Sequence, residues 1–155
     1  MINYFCHVCD KTFPVDATRY KCECGSPLNL TQSEIYFPIE EITNRDNNLW
    51  RYREALPIRN ESSIVSLNEG MTPLVSASSS VYDHRLKLDF VFPTGSYKDR
   101  GASILLSKAR EIGIREVVED SSGNAGAAIA AYSAKADIDC TIYCPSTTST
   151  GKLTQ

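Results

Sequence analysis

Four of the six cysteines fall within the first 24 residues: Cys6 and Cys9 are separated by two residues, Cys22 and Cys24 by one, with twelve between the pairs. Two turns that each present two thiolates can close a tetrahedral zinc site. No other feature constrains the fold of this stretch as tightly, because so short a segment has a core too small to fold unaided, and a bound metal compensates for it. Gly25, directly after Cys24, suits a tight sulfur-bearing turn. Cys22-Glu23-Cys24 is one residue shorter than the common knuckle spacing, and His7 lies between the first pair as a substitute ligand. The competing reading is four reduced, partly buried thiols, or disulfides formed on oxidation. The start, Met1-Ile2-Asn3-Tyr4, shows no basic stretch followed by a long apolar one, so no secretory signal is read and a cytoplasmic, reducing setting is expected. The expectation is a zinc-ribbon-like β unit over residues 1–30, with Cys6, Cys9, Cys22 and Cys24 as ligands of a structural zinc. Four protein ligands leave no open position for catalysis.

The rest of the chain divides into two zones. Residues 31–92 read as a connecting region punctuated by Pro38, Pro57 and Pro73, with a polar loop at 43–48. Leu49-Trp50-Arg51-Tyr52-Arg53 either starts a short helix or packs an aromatic pair. Residues 93–155 alternate helix and strand. From Ser96 the apolar positions Ala102, Leu105, Leu106, Ala109 and Ile112 recur at spacings of three and four, and Gly113 sits where a left-handed cap ends a helix. Glu116 to Glu119 reads as a strand, Asn124 to Ala136 as an alanine-rich helix, and Asp139 to Cys144 as a second strand stopped by Pro145. This order is the α/β signature of a parallel sheet. Cys140 and Cys144 are expected to share one strand face as small buried hydrophobes, and His84 to be an exposed histidine without a task. Hydrophobic residues at 42% and charged residues at 23% fit a soluble globular protein. A net charge of −3 with scattered basic residues argues against nucleic acid, and the absence of an apolar run of ~20 residues argues against a membrane span.

Pro93-Thr94-Gly95-Ser96-Tyr97-Lys98-Asp99-Arg100-Gly101 opens the first long helix. A lone Lys-Asp-Arg is ordinarily solvated surface charge. The nine residues together resemble the Pro-Thr-Gly-Ser-Phe-Lys-Asp-Arg-Gly stretch of the fold type II (β-family) pyridoxal-phosphate enzymes, which include threonine synthase, threonine dehydratase and cysteine synthase; threonine synthases match it best. Tyr97 replaces the phenylalanine and keeps the ring, while Phe92 stands where the family usually has asparagine, a departure at the rim of the site. The resemblance implies that Lys98 holds pyridoxal 5'-phosphate and then moves protons as base and acid.

Ser121-Ser122-Gly123-Asn124-Ala125-Gly126 joins the first strand of this zone to the alanine-rich helix. Alone, it is either a helix cap or an anion site at a helix N-terminus. In the family that it resembles, a Ser-Gly-Asn turn follows the lysine motif by about this distance. This implies that Asn124 contacts the cofactor's ring oxygen and that Ser121, Ser122, Gly123 and Asn124 bind the substrate's carboxylate end. Ser66 to Leu74 resembles the family's Glu-Gly-Thr-Pro-Leu segment with Met71 inserted. A cysteine-rich ribbon also precedes some threonine synthases and the similar cysteate synthases.

The resemblance is weak over 1–65 and strong over 66–155. The glycine-rich loop that holds the cofactor phosphate in the family has no counterpart after Gly126, so the chain is expected to be the N-terminal portion of a longer enzyme, its sheet short of strands. The fold class implied is α/β, a zinc-ribbon-like unit followed by part of a fold type II enzyme. The implied reaction converts O-phosphohomoserine to threonine and phosphate. The alternatives are a cysteate synthase or another β-replacement or dehydratase enzyme and, in another class, a non-catalytic zinc-ribbon interaction module. The expected partner is a small amino-acid substrate, with either a homodimer or pairing with a C-terminal half.

Overall fold

A computed structural model describes residues 2–31, 35–79 and 81–155; Met1, residues 32–34 and Ser80, the last four of them in the expected connecting region, lie outside the described residues. The first three strands, β1 (Asn3–Phe5), β2 (Thr12–Pro14) and β3 (Asn29–Leu30), form an antiparallel sheet in the order β2-β1-β3. Two knuckle turns interrupt it. In the first, the Asp10 N–H donates to the Cys6 carbonyl at 2.9 Å, with Asp10 in a left-handed conformation at φ 56°. In the second, the Gly25 N–H donates to the Cys22 carbonyl at 2.9 Å, and Gly25 is likewise left-handed. The expected small β unit is therefore present, and its turns place sulfur rather than apolar side chains at the centre.

The connection contains helix α1 (Ile39–Thr43), 3₁₀ turns at Leu49–Ala55 and Glu61–Ser63, and a hairpin of β4 (Leu74–Ser76) with β5 (Arg85–Lys87). The Asn48 side chain accepts from the Trp50 N–H at 2.9 Å and caps the first 3₁₀ segment, so the short-helix alternative at residues 49–53 holds. Trp50 is buried, while Tyr52 meets Phe37 edge-on.

From Lys98 onward the chain runs α2 (Lys98–Glu111), β6 (Glu116–Glu119), α3 (Asn124–Ala136), β7 (Asp139–Ile142) and α4 (Thr150–Thr154). Strands β6 and β7 pair in parallel with Val117 opposite Cys140, as the alternation of elements predicts. Gly113 ends α2 in the left-handed region, with its N–H on the Arg110 carbonyl and the Ile114 N–H on the Ala109 carbonyl at 2.9 Å. That pair of bonds is a Schellman cap, which satisfies the last carbonyls of the helix.

Val65 and Ala102, Leu106 and Ala109 of α2 pack against Ala128, Ile129, Tyr132 and Ala136 of α3, with Ile138 beneath them. Alanine on both helices lets their backbones approach closely. Two apolar expectations fail. Leu105 is 51% exposed, because the core needs only one stripe of α2 and a second leucine beside it falls outside. Cys144 is exposed because β7 stops at Ile142, so it does not share a strand face with the half-buried Cys140. Among the described residues no helix is long and apolar enough to cross a membrane.

Candidate functional site

The four N-terminal cysteines converge. Their Sγ atoms all lie within 4.8 Å of one another, with Cys6 to Cys24 at 3.6 Å and Cys9 to Cys22 at 3.4 Å. Four sulfurs about 2.3 Å from a central zinc are about 3.8 Å apart, so the donor set fits a tetrahedral ion. The one-residue shortening of the second pair is absorbed by the turn, and all six cysteines are unbonded to each other. His7 is not in the cluster; its ring meets Phe5 edge-on at 4.8 Å. The thiols differ sharply. Hydrogen bonds from the Ser26 hydroxyl and N–H hold Cys24 down at about 6. At Cys9 the Lys11 N–H lowers the value, yet the Cys22, Cys6 and Cys24 thiols together with burial outweigh it and push the group up to about 12.

Lys98 is the first residue of α2 and is half-buried, its Nζ 5.2 Å from the centre of the Tyr97 ring. Among the described residues it makes no ion pair. The loop before it is closed by Asp99, which is fully buried: its Oδ2 accepts from the Thr94 N–H at 2.9 Å and its Oδ1 from the Thr94 hydroxyl. A carboxylate in the first turn also suits the positive end of the helix. Arg100 donates to Asp89 at 2.9 Å and lies over the Phe92 ring at 4.5 Å. Asp89 also accepts from the Thr72 hydroxyl at 2.7 Å, and that bond, followed by the Arg100 charge, holds its carboxyl below the usual range. Phe92 is thus buried beneath a guanidinium.

The Ser-Ser-Gly-Asn turn does not cap its helix. Gly123 is the N-cap of α3; among the described residues no side chain bonds there, and the Ser121 Oγ accepts from the Gly123 N–H at 3.3 Å. The first-turn N–H groups of α3 are left for a ligand or water. The turn folds down on the helix so tightly that a Cβ at Gly126 would lie 2.1 Å from the Ser121 carbonyl oxygen. Ser121, Ser122, Gly123 and Gly126 line a cleft of about 380 Å³ with Ile142, Cys144 and Lys152. Lys98 and Asn124 do not line that cleft. Asn124 is tied to the lysine loop instead: the Gln155 amide donates to Asn124 Oδ1 at 3.2 Å and reaches the Thr94 carbonyl at 3.5 Å. The amine of Lys98, outside the cleft, is of a type that suits an aldehyde, and the uncapped helix end with its glycine cradle, inside it, suits a carboxylate.

Two residues in and around this region are not singled out by the sequence reading. Lys152 brings positive charge to the cleft from α4, and a single lysine in a Gly-Lys-Leu stretch is indistinguishable from surface charge. Glu69 is 1% exposed, and only its place in the Glu-Gly-Met-Thr-Pro-Leu segment could have drawn attention to it.

The family described as pyridoxal-phosphate dependent enzyme matches residues 65–155. The chain is 38% identical over 160 residues to a threonine synthase of Methanocaldococcus jannaschii, covering 97% of this chain and 40% of that protein. It is 31% identical over 153 residues to a threonine synthase of Methanosarcina acetivorans, covering 94% and 37% respectively, and 40% identical over 100 residues to one of Synechocystis sp., covering 61% and 26%. The chain thus spans 40% or less of the length of these curated relatives. Among solved structures it is similar to the O-acetylserine dependent cystathionine beta-synthase from Helicobacter pylori, with a TM-score of 0.49 and 27% identity over 55% of this chain and 31% of that one.

Proposed function

Because this chain belongs to the pyridoxal-phosphate dependent enzymes, we propose that Lys98 is the residue that bonds the cofactor and that the chain is the N-terminal portion of a threonine synthase-type lyase, converting O-phosphohomoserine to threonine and phosphate. The observation that carries this reading is the meeting of two motifs: the lysine loop and the uncapped Ser-Ser-Gly-Asn turn begin two packed helices, and the Gln155 amide is within reach of both.

When bound, the cofactor supplies an aldehyde for an amine and an electron-poor ring that stabilises negative charge on the substrate carbon. Lys98 Nζ holds it and serves as the base for the proton on the substrate's α-carbon. Asn124 offers its Nδ2 donors toward the ring oxygen, since Gln155 occupies Oδ1. Ser121, Ser122 and Gly123, with Asn124, receive the substrate carboxylate at the end of α3, where free N–H groups and the helix dipole favour an anion. Lys152 adds a positive charge suited to a phosphorylated substrate. The same reading divides the chain into a zinc-ribbon-like segment at 1–30, a connection at 31–92 and an α/β region at 93–155, acting in the cytoplasm on a small molecule. Cys6, Cys9, Cys22 and Cys24 hold a structural zinc in it.

The experiment is to treat the full chain with pyridoxal phosphate, fix the adduct with borohydride and map the labelled peptide. Label on Lys98, lost in Lys98→Ala, is the expected result, together with phosphate release from O-phosphohomoserine by the protein that contains this chain. Equal labelling of Lys98→Ala would sink the cofactor assignment; labelling without phosphate release would move the substrate elsewhere in the family.

A further inference from the structure

The side of α2 that faces the connection is polar, and it is buried. Asp99, Ser103, Ser107 and Glu111 recur at intervals of four, so they lie in one row along the helix. Asp99, Ser103 and Ser107 are 0% exposed. Each position in the row is tied to another part of the chain. Asp99 holds Thr94; Ser103 accepts from Trp50 Nε1 at 3.0 Å. Ser107 accepts from the Val65 N–H at 2.8 Å, and Glu111 accepts from the Arg59 and Asn60 N–H groups at 2.7 and 2.8 Å. Among the described residues, the helix that begins with Lys98 is thus fastened along its length by polar groups at fixed points.

Glu69 is the hub of this arrangement. Its Oε1 accepts from Trp50 Nε1 at 2.9 Å and lies 2.5 Å from the Ser103 hydroxyl. Its Oε2 accepts from the Ser66 hydroxyl at 3.1 Å, the Leu67 N–H at 2.8 Å and the Tyr132 hydroxyl at 2.9 Å. Five hydrogen-bonding groups from the connection, the 66–69 turn, α2 and α3 converge on one carboxylate, with the Ser103 hydroxyl sharing its single proton between Glu69 and the Val65 carbonyl at 2.8 Å. Burial raises the Tyr132 hydroxyl well above its ordinary value, with the Glu69 charge adding to it, so Tyr132 stays a donor. A carboxylate so buried is tolerable only when its lone pairs are satisfied, and here they are.

The interface that this hub spans is otherwise weakly directional. Around Leu106 and Ile129 it is built largely of alanines, Ala102, Ala109, Ala128 and Ala136, and small apolar side chains resist sliding or rotation poorly because the hydrophobic effect has no preferred direction. A slip of one residue along a helix moves it by about 1.5 Å and turns it by about 100°. Ser103 is five residues after Lys98, and Tyr132 is eight after Asn124. Fastening both to one carboxylate therefore fixes the rotation and height of the two helices whose first residues carry the proposed chemistry.

We propose that Glu69 is the positioning residue that aims Lys98 at the Asn124 turn, through Ser103 on α2 and Tyr132 on α3. The proposal rests on the assignment of Lys98 made above. Its test is the ratio of borohydride-fixed pyridoxal phosphate on Lys98 to that on the exposed Lys135, measured by peptide mapping of the full chain. Trp50, the only tryptophan, donates to Glu69 and reports the hub directly by its emission. In Glu69→Gln the Lys98 to Lys135 ratio falls about tenfold or more, as misplacement of a reacting group by about 1 Å costs up to about a hundredfold, and Trp50 emission shifts while helical circular dichroism is retained. In Tyr132→Phe the ratio falls while Trp50 emission keeps its wild-type position. An unchanged ratio in folded Glu69→Gln overturns the positioning role and leaves Lys98 standing as the cofactor residue. A wild-type ratio near one overturns the Lys98 assignment and the present proposal with it. If Glu69→Gln does not fold, Tyr132→Phe decides alone, since it removes one hydrogen-bonding group and leaves four.

Discussion

The N-terminal β unit, the proposed ribbon, and the α2/α3 unit solve the same problem with different materials. Within the ribbon, among the described residues up to Thr31, the buried side chains are Cys6 and Cys22, both members of the sulfur cluster. The α2/α3 unit buries a continuous group of alanines, leucine, isoleucine and tyrosine. One region has no core except its four thiols; the other has a core and needs no metal to close it. A short chain segment reaches a single conformation either by burying enough apolar surface or by binding something that only the folded form can hold.

On the proposed zinc assignment, the sharpest way to break this contrast is to load the protein with zinc and then remove it with a chelator. Structural zinc in small fingers contributes about 10–16 kcal/mol, far more than this segment can recover by burial. Amide hydrogen exchange should therefore lose protection across residues 3–30 and keep it in α2 and α3. Protection that survives chelation in β1 and β2 would mean that the ribbon has another source of stability.

The converse experiment is Leu106→Ala. Leu106 is 0% exposed at the centre of the apolar cluster, and a buried leucine cut to alanine costs about 2–5 kcal/mol. Denaturant unfolding followed by helical circular dichroism should show that loss, while the number of metal ions bound by the cysteines stays the same. Loss of metal together with the helices would show that the two regions fold as one unit.

How far each region could be read in advance follows from the same contrast. The cysteine spacing alone announced a four-sulfur centre, since thiols so placed have few other uses, and the structure brings the same four together. In the α/β part the periodic elements were legible: α3 and β6 begin and end at the expected residues, and Gly113 caps α2. The polar row on α2 was not. Serine at 103 and 107 is consistent with a solvated helix face, and only the approach of residues 50–69 from elsewhere in the chain makes that face interior. For the same reason the turn at 121–124 stayed open between cap and anion site. A cap is decided by whether an oxygen points at an N–H, and residue types alone do not say where it points.

Between these regions the connection is held in a third way, and it offers the mildest test. Arg45 grips Glu54 with two nitrogens at 2.7 Å each, and a third bond reaches Glu41. The Arg45 hydrogen bonds, aided by its charge, draw the Glu54 carboxyl down from 4.5 to about 2. A carboxyl lowered on folding stabilises the folded form when ionised: the contribution is whole above 4.5, fades as pH falls toward 2, and is gone below it. Glu54 is partly exposed and screened by solvent, so the effect is small, about 1 kcal/mol. In Glu54→Gln the stability curve should lose that part of its acid slope and otherwise match the parent. On the same zinc assignment the four thiolates compete with protons for the metal, so the ribbon should release it on the acid side of neutrality before Glu54 titrates. Metal release and the Glu54 slope arriving at one pH would tie the connection's ion pairs to the ribbon; arriving separately, they leave the connection to stand by its own contacts.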